Sequence, residues 1–262
     1  MFKKIITILC LFLLVACTGN KAQDNTVESD LDYIKSKGTL VVGITDFAPM
    51  DYRDENNEWI GFDADVAKKV AEDLGVKVEF VEIEWDNKIL ELDNKSIDVV
   101  WNGMTITDEV KNSMSVTNAY CNNAQVVILK NEDADKYETV ESLKDLKFAV
   151  EAGSAGEDAA KENSFDYVAV TSQADTLLEV SAGTSDVAII DLLMASAMIG
   201  EGTNFETLTY KFELTEEKYG VGCRKGSDLC DYINSEFKKF YDDGTLLEIA
   251  DKYGLKETLV SQ

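Results

Sequence analysis

Short apolar runs alternate with helical segments along this chain, and the alternation occurs twice. In the first half, residues 40–44, 76–80 and 97–101 are predicted as strands, and helices are predicted over 62–74 and 86–92. A strand, a helix and a second strand of the same sheet form a parallel crossover unit. This half of the chain is therefore predicted to fold as a parallel sheet with helices on both faces.

The alternation restarts in the second half of the chain and predicts a second α/β unit. Two similar sheets in one chain imply two lobes with a cleft between them, and ligands of such folds bind outside the carboxyl ends of the strands. The predicted strands are 125–129, 148–150, 167–170, 187–190 and 219–223, and the predicted helices are 156–162, 176–182 and two segments within 228–253.

Charge and residue content exclude several classes of function. The 262-residue chain has 50 acidic and 25 basic residues, a formal net charge of −25, and no histidine. Nucleic acid is excluded as a partner, because its binding rests on Lys and Arg that displace counterions. The lack of His excludes Ser-His-Asp and Cys-His catalysis and HExxH zinc sites. No catalytic residue, metal or cofactor is predicted, and the chain has no GxxxxGK[ST] nucleotide-binding motif.

The N-terminus resembles the export signal of a bacterial lipoprotein. Lys3 and Lys4 precede an apolar stretch over 5–16 that is too short to span a membrane, and residues 14–17 read LVAC, similar to a lipobox. We expect a signal peptide over 1–16, lipid attachment at Cys17 and a flexible tether over 17–30. Two acyl chains anchor a protein stably, so the expected location is the outer face of the cytoplasmic membrane. An ordinary signal peptide with an incidental Cys is the alternative.

Three cysteines remain after the predicted processing: Cys121, Cys223 and Cys230. An odd number of cysteines outside the cell means at least one free thiol. A disulfide between Cys121 and Cys223 and buried free thiols are both compatible with the sequence.

Seven segments, taken in order behind the lipobox, resemble the polar amino-acid family of solute-binding proteins, which serve ABC importers. The segments are GTLVVGITDFAPMDY (38–52), WIGFDADVAKKVAEDLGV (59–76), IDVVWNGMTIT (97–107), SLKDLKFAVEAGS (142–154), DVAIID (186–191), YGVGCRKGS (219–227) and DDGTLLEIADKYG (242–254). The resemblance implies the class II periplasmic-binding-protein fold, in which each of two lobes is a mostly parallel sheet flanked by helices. It also implies a monomer with an amino acid or related amine as ligand, and ABC permease and ATPase subunits as partners.

The topology of that family implies where the lobes divide. Lobe one is expected over 31–119 and 213–262, and lobe two over 123–209. The hinge is expected at two crossings, 120–122 and 209–212. The implied mechanism is closure of the lobes around the ligand.

The same resemblance assigns residues to the two ends of an amino acid. Asp191, at the end of an apolar strand, is expected to bind the α-ammonium, although a carboxylate there also suits capping of the next helix. The turn Asn102-Gly103-Met104-Thr105 is expected to bind the α-carboxylate through backbone N–H groups and a hydroxyl. Ser154 and Ala155 lie in a glycine-containing turn that either donates N–H groups from lobe two or only joins a strand to a helix.

One position departs from the pattern of the family. Relatives also bind the α-carboxylate with an Arg five residues after the Thr, and this chain has Val110 there. The missing charge-assisted bond is worth roughly 1.5–3 kcal/mol. Lys111 is adjacent but points in another direction on a helix. Either the N–H groups around Thr105 and Ala155 suffice, or the ligand is not an ordinary α-amino acid.

The side chain of the ligand is expected to meet aromatic and acidic groups. Phe47 and Trp85 match the positions that sandwich ligand side chains in the family, by apolar contact or cation–π attraction. Asp46 and Glu151 stand at strand ends and, with Asp191 and the absent Arg, predict a markedly negative pocket. The ligand is therefore expected to carry extra positive charge, as a basic amino acid or an amine does.

Three functions remain open at this stage. Capture of a solute for an ABC importer is the leading hypothesis. Some proteins of this fold are dehydratases acting on cyclohexadienyl acids, and Glu151 or Asp191 would offer the acid or base that such chemistry needs. The third function is ligand sensing without transport, which the sequence does not separate from import.

Overall fold

The computed structural model describes residues 29–262. The predicted signal peptide, the predicted lipid attachment site Cys17 and the tether as far as residue 28 lie outside the described residues. Within the described part, no helix combines the length and the apolar character needed to cross a membrane.

The described residues form fourteen strands, nine α-helices and four 3₁₀ turns. The strands are β1 (Thr39–Ile44), β2 (Tyr52–Arg53), β3 (Trp59–Ile60), β4 (Lys77–Glu82), β5 (Val99–Val100), β6 (Ser115–Val116), β7 (Cys121–Asn123), β8 (Gln125–Lys130), β9 (Lys147–Glu151), β10 (Asp166–Val170), β11 (Val187–Asp191), β12 (Leu208–Glu213), β13 (Glu217–Tyr219) and β14 (Gly222–Cys223). The helices are α1 (Asp30–Lys37), α2 (Phe62–Leu74), α3 (Lys88–Asp93), α4 (Asp108–Ser113), α5 (Ala155–Glu162), α6 (Gln173–Ala182), α7 (Leu192–Met198), α8 (Leu229–Asp242) and α9 (Thr245–Lys252). The 3₁₀ turns are Trp85–Asn87, Asn131–Lys136, Val140–Leu143 and Lys256–Thr258.

Ten of these strands form two five-stranded sheets with the same plan. The first sheet has the order β4-β1-β5-β14-β6, and the second has the order β10-β9-β11-β8-β12. In each sheet four strands point the same way, and one strand, β14 or β8, runs antiparallel to both of its neighbours. The predicted two-lobed α/β fold with mostly parallel sheets is confirmed.

Helices cover both faces of each sheet, because successive side chains of a strand point to opposite faces. In β9, Phe148 and Val150 pack in a cluster with Ala159 of α5. Ala149, between them, belongs to the core cluster on the other face, together with Leu177 of α6. The first sheet is covered in the same way, by α2 on one face and by α3 and α4 on the other.

Two predicted strands differ in extent from the observed ones. The strand predicted over 97–101 is reduced to β5, because beyond Trp101 it is the side chain of Asn102, not its backbone, that bonds to the backbone N–H of Thr45. The strand predicted over 219–223 is divided into β13 and β14. The intervening Gly220 donates its N–H to the carbonyl of Met104 and redirects the chain from one pairing to the other.

The antiparallel pair β7 and β13 forms a ribbon outside both sheets. In chain order, β7 immediately precedes β8 of the second sheet, and β13 lies between β12 of the second sheet and β14 of the first. Residues 209–212, which were expected as the second crossing, lie in β12. Thr209, Tyr210 and Lys211 pair with β8, and Phe212, with φ +52°, lies at a shift in register. Glu213 pairs with Val126 of β8, so the chain leaves this sheet only after Glu213.

A disulfide joins Cys223 and Cys230, whose Cα atoms are 6.0 Å apart. Cys230 lies in the first turn of α8, which follows β14 after a turn that brings the two residues side by side. The bridge considered between Cys121 and Cys223 is wrong. Cys121 is a buried free thiol in the ribbon, where its Sγ lies 3.0 Å from Oγ1 of Thr258.

Candidate functional site

A cleft between the two sheets contains all eleven residues predicted to bind the ligand. It holds about 630 Å³ of space between protein atoms, open solvent at its mouth included. The residues follow the carboxyl ends of β1, β4 and β5 in the first sheet and of β9 and β11 in the second, as expected for this class of fold. They are Asp46, Phe47, Trp85, Asn102, Gly103, Met104, Thr105, Glu151, Ser154, Ala155 and Asp191. Their contact with a ligand stays a prediction.

Asp191 is buried at the end of β11, with 4% of its surface exposed. Its carboxylate accepts hydrogen bonds from four neutral groups: the hydroxyl of Tyr219 at 2.7 Å, the amide of Gln125 at 3.1 Å, and the amides of Asn123 and Gln173. No cation of the described part of the chain forms an ion pair with Asp191. The negative charge is therefore stabilised by dipoles alone, and an ammonium group in the cleft would be its counter-ion.

Asp191 precedes α7, but its side chain makes no capping hydrogen bond to that helix. The capping role considered from the sequence is therefore wrong. Asn123 provides the cap instead, because its Oδ1 accepts the N–H of Leu193 at 3.3 Å. The carbonyl of Ala124 accepts the N–H of Leu192 at 2.8 Å. These bonds satisfy the start of the helix and leave the Asp191 carboxylate to the cleft.

Glu151 ends β9 and is also buried, with 3% of its surface exposed. Its Oε1 has no hydrogen-bond partner among residues 29–262. Burial, reinforced by the charge of Asp191, raises the pKa of Glu151 to about 8. Burial and the charge of Glu217 raise the pKa of Asp191 to about 7. Both carboxyls are thus partly protonated near neutral pH, and a cation in the cleft would favour their ionised forms.

The lining of the cleft is strongly acidic. Asp46 is exposed at its edge, where partial burial and the charge of Glu82 raise the pKa of its carboxyl. No cluster of three or more metal-ligating side chains occurs between residues 29 and 262. Five acidic residues and a single cation are found among the described residues of the lining: Asp46, Glu109, Glu151, Asp158, Asp191 and Lys88.

Several donors of the turn after β5 already serve the protein itself. Asn102 accepts from the N–H of Thr45 at 3.0 Å, and its amide donates to a carboxylate oxygen of Asp51 at 2.8 Å. The backbone N–H of Gly103 donates to Asp63 at 2.7 Å. The hydroxyl of Thr105, predicted to donate to the ligand, donates to Glu217 at 2.9 Å. Lobe one therefore offers a ligand carboxylate fewer donors than the sequence led us to expect.

The two predicted aromatic residues both line the cleft, and Phe47 explains why residue 103 is glycine. Gly103 has φ +56°, and a Cβ atom on it would lie 2.3 Å from Cε1 of Phe47. The ring of Phe47 also packs edge-on against Tyr219, with centroids 6.4 Å apart. Trp85 is 92% buried in the first-sheet wall of the cleft. These rings give the cleft two apolar surfaces beside its carboxylates.

The turn after β9 forms the facing wall of the cleft. Ser154 caps α5, since its Oγ accepts the N–H of Glu157 at 3.1 Å. The N–H of Gly153 donates to the carboxylate of Glu157 at 2.8 Å. The first N–H groups of α5, beginning with Ala155, have no carbonyl of their own helix to bind. Val110 also lines the cleft, so the position of the missing Arg faces the same space.

Lys88 lines the cleft and was not among the predicted residues. Its side chain is buried, and Nζ donates to the carbonyl of Trp85 at 3.3 Å and to the carbonyl of Gly153 at 2.8 Å. Burial lowers the pKa of this ammonium group. A sequence signal was available, because Lys88 lies in the first turn of the helix predicted over 86–92, directly after Trp85, which was predicted to contact the ligand.

Residues 40–256 match the family described as bacterial extracellular solute-binding proteins, family 3. The chain belongs to this family. L-cystine-binding protein TcyA of Bacillus subtilis is 30% identical over 251 residues, which cover 92% of this chain and 91% of TcyA. A mutant of ArgBP from T. maritima is 32% identical with a TM-score of 0.80, covering 86% of this chain and 99% of that one. The ancestral amino acid-binding protein AncCDT-1, a precursor of cyclohexadienyl dehydratase, is 34% identical with a TM-score of 0.78 over the same shares.

Membership of family 3 confirms the family and the class II periplasmic binding fold that the sequence motifs predicted. It also makes the protein an extracytoplasmic solute-binding protein. TcyA and AncCDT-1 are both described as binding proteins.

Proposed function

We propose that this protein captures an amino acid with additional positive charge and delivers it to an ABC importer. The proposal rests on the hydrogen-bond partners of two buried carboxyls in the cleft, which include no cation among the described residues. Asp191 has only neutral donors around it, and Oε1 of Glu151 has no partner within the described residues. A buried charge without a partner is costly, so a cleft built this way favours a cationic guest.

The ligand has a definite orientation in this proposal. Asp191 binds the α-ammonium, and Glu151 faces the cationic end of the side chain. The ligand side chain packs between Phe47 and Trp85, whose rings also attract a cation. The first N–H groups of α5, from Ala155, bind the α-carboxylate at the positive end of the helix.

Two relatives support an amino acid as the ligand, and one of them supports a cationic side chain. TcyA is an L-cystine-binding protein. The T. maritima ArgBP has been solved in an arginine-bound form, at 32% identity to this chain. We infer that the ligand of this protein also has a cationic side chain, as arginine does, because the lining of the cleft is acidic.

Closure of two lobes around the ligand is part of the proposal. We place lobe one at 31–119 with the C-terminal part of the chain, lobe two at 123–213, and the hinge at the ribbon β7–β13. The two walls of the cleft touch in this structure, which supports a closed state. A Cβ atom on Gly153 would lie 2.8 Å from Cα of Asp86 on the opposite wall.

Anchoring and delivery complete the proposal. A diacylglycerol on Cys17 holds the monomeric protein at the outer face of the cytoplasmic membrane, where it docks on a permease driven by an ATPase. Replacement of Cys17 by Ser is expected to release the protein from the membrane fraction. Loss of the gene is expected to abolish uptake of the radiolabelled ligand; uptake that continues unchanged favours a sensor that does not transport.

A dehydratase is the second candidate, because AncCDT-1 is described as a precursor of cyclohexadienyl dehydratase. Its test is incubation of the protein with prephenate and arogenate, followed by ultraviolet spectra of the products. The capture proposal expects no turnover.

The capture proposal is tested by a thermal-shift screen of residues 29–262 against amino acids and amines. L-Arginine and other cationic amino acids are expected to raise the melting temperature most, because a ligand at 100 Kd stabilises by about 2.7 kcal/mol. Small-angle scattering then measures closure. A ligand that binds without any decrease in the radius of gyration, from an open free state, contradicts the closure mechanism.

A further inference from the structure

Lys88 stands in the acidic cleft without a carboxylate partner. Within residues 29–262 its ammonium forms no ion pair, and its two hydrogen bonds go to the carbonyls of Trp85 and Gly153. An ammonium group has three N–H donors, so one donor remains for another group in the cleft. Only 8% of the residue is exposed, which leaves little water to occupy that position.

Lys88 lies in the part of the cleft where the Arg of relatives is missing. Its bond to Gly153, 2.8 Å long, places Nζ beside the turn that leads into α5. The same turn presents Ala155, and Val110 lines the same space. Lobe one is short of donors here, because the hydroxyl of Thr105 is bonded to Glu217.

We propose that Lys88 is a specificity-determining residue that binds the ligand's carboxylate, in place of the Arg that relatives carry at the position of Val110. Lys88 reaches the carboxylate from the segment after β4, whereas an Arg at 110 would reach it from α4. The inference rests on the proposed function, since it presumes an amino acid in the cleft. It assigns the charged groups of the cleft: Lys88 binds the α-carboxylate beside the α-ammonium that Asp191 binds, and Glu151 faces the cation of the ligand side chain.

The other charged groups near Lys88 are compatible with this role. Glu109, Glu151, Asp86 and Asp158 all influence its ammonium. Asp86 and Glu109 are exposed, so water screens their charges. Asp158 forms an ion pair with Lys161 at 3.3 Å. Glu151 is buried, and the proposed function assigns it to the cation of the ligand side chain. A ligand carboxylate inside the cleft would therefore be a desolvated partner that Lys88 does not share with another cation.

The test compares an amino acid with its decarboxylated form, by isothermal titration calorimetry. The probes are L-arginine and agmatine, with L-histidine and histamine as a second pair. Lys88→Met keeps an unbranched side chain, one atom shorter, and removes its charge. It is expected to weaken L-arginine about 10-fold to 150-fold, the range for one charge-assisted bond. Agmatine binding is expected to stay the same or become tighter, because a positive charge has left the cleft.

Two further variants separate this role from a structural one. Lys88→Arg is expected to keep the preference for L-arginine over agmatine. Val110→Arg combined with Lys88→Met is expected to restore that preference from the other side of the cleft. A thermal melt of each unliganded variant verifies that it folds.

The other possible results contradict either the role of Lys88 or the proposed function. Equal weakening of L-arginine and agmatine by Lys88→Met makes Lys88 a closure contact between the lobes and overturns the inference. Unchanged affinity for L-arginine overturns it as well. Failure of the wild-type protein to bind any of the amino acids overturns the proposed function itself, so the two failures are distinguishable.

Discussion

Ligand affinity is expected to depend steeply on pH, because the two carboxyls that bind the cation are partly protonated in the free protein. The pKa of Glu151 is about 8 and the pKa of Asp191 is about 7, both raised mainly by burial. A cationic amino acid binds the ionised forms and must displace these protons. Affinity therefore rises with pH, and the gain occurs between pH 6 and pH 8.

The size of the effect follows from the fraction of each carboxyl that is ionised. A group with a pKa of about 8 goes from about 1% ionised at pH 6 to about 50% at pH 8, a gain of about 50-fold in affinity. A group with a pKa of about 7 adds a gain of about 10-fold over the same range. Together they correspond to about 4 kcal/mol.

Calorimetric titration with L-arginine at pH 6, 7 and 8 measures this dependence, and the charge of the guanidinium does not change in that range. Repetition in buffers of different ionisation enthalpy counts the protons released. Glu151→Gln serves as the matched variant: the 50-fold component should disappear, and the component from Asp191 should remain. Affinity that is flat from pH 6 to pH 8, with no proton release, refutes the assignment of the cation to these carboxyls.

Three other predictions concern stability. Without ligand, the free energy of unfolding should fall as pH rises from 5 to 8, because folded Glu151 keeps a proton that the unfolded chain has lost. Urea melts measure this slope, and Glu151→Gln should reduce it by up to about 1.4 kcal/mol per pH unit. Cys230→Ser removes a disulfide that closes a loop with a sequence separation of 7, and should cost about 2.5 kcal/mol by chain entropy; equal stability of oxidised and reduced protein argues against this. Gly103→Ala should weaken ligand binding and lower stability by about 1–3 kcal/mol, because its Cβ meets Phe47; Gly75→Ala, with similar φ but open space, is the control for backbone strain alone.

The sequence was sufficient to predict the fold and eleven of the residues that line the cleft. Helix α2 shows why, since its apolar residues recur at helical spacing and Gly75 follows at φ +77°, where the helix ends. In such a fold the carboxyl ends of the strands face the cleft. Recognition of β1, β9 and β11 was therefore enough to predict that Phe47, Glu151 and Asp191 share the cleft.

The hydrogen bonds inside the cleft were beyond sequence reasoning, because they join residues that only the tertiary pairing brings together. Thr105 and Glu217 are 112 positions apart, and their bond depends on where β13 lies against β7. The same register brings Tyr219 to Asp191. For this reason the sequence did not reveal the bond from Thr105 to Glu217, and the capping role considered for Asp191 was wrong.

A crystal structure of residues 29–262 with L-arginine, or with the cationic amino acid that binds most tightly, tests the central claim most directly. The account predicts one ligand molecule enclosed between the sheets, with its α-ammonium within hydrogen-bond distance of Asp191 and its side-chain cation facing Glu151. A ligand bound in the reverse direction, with its carboxylate toward Asp191, or a ligand bound outside the cleft, would contradict it.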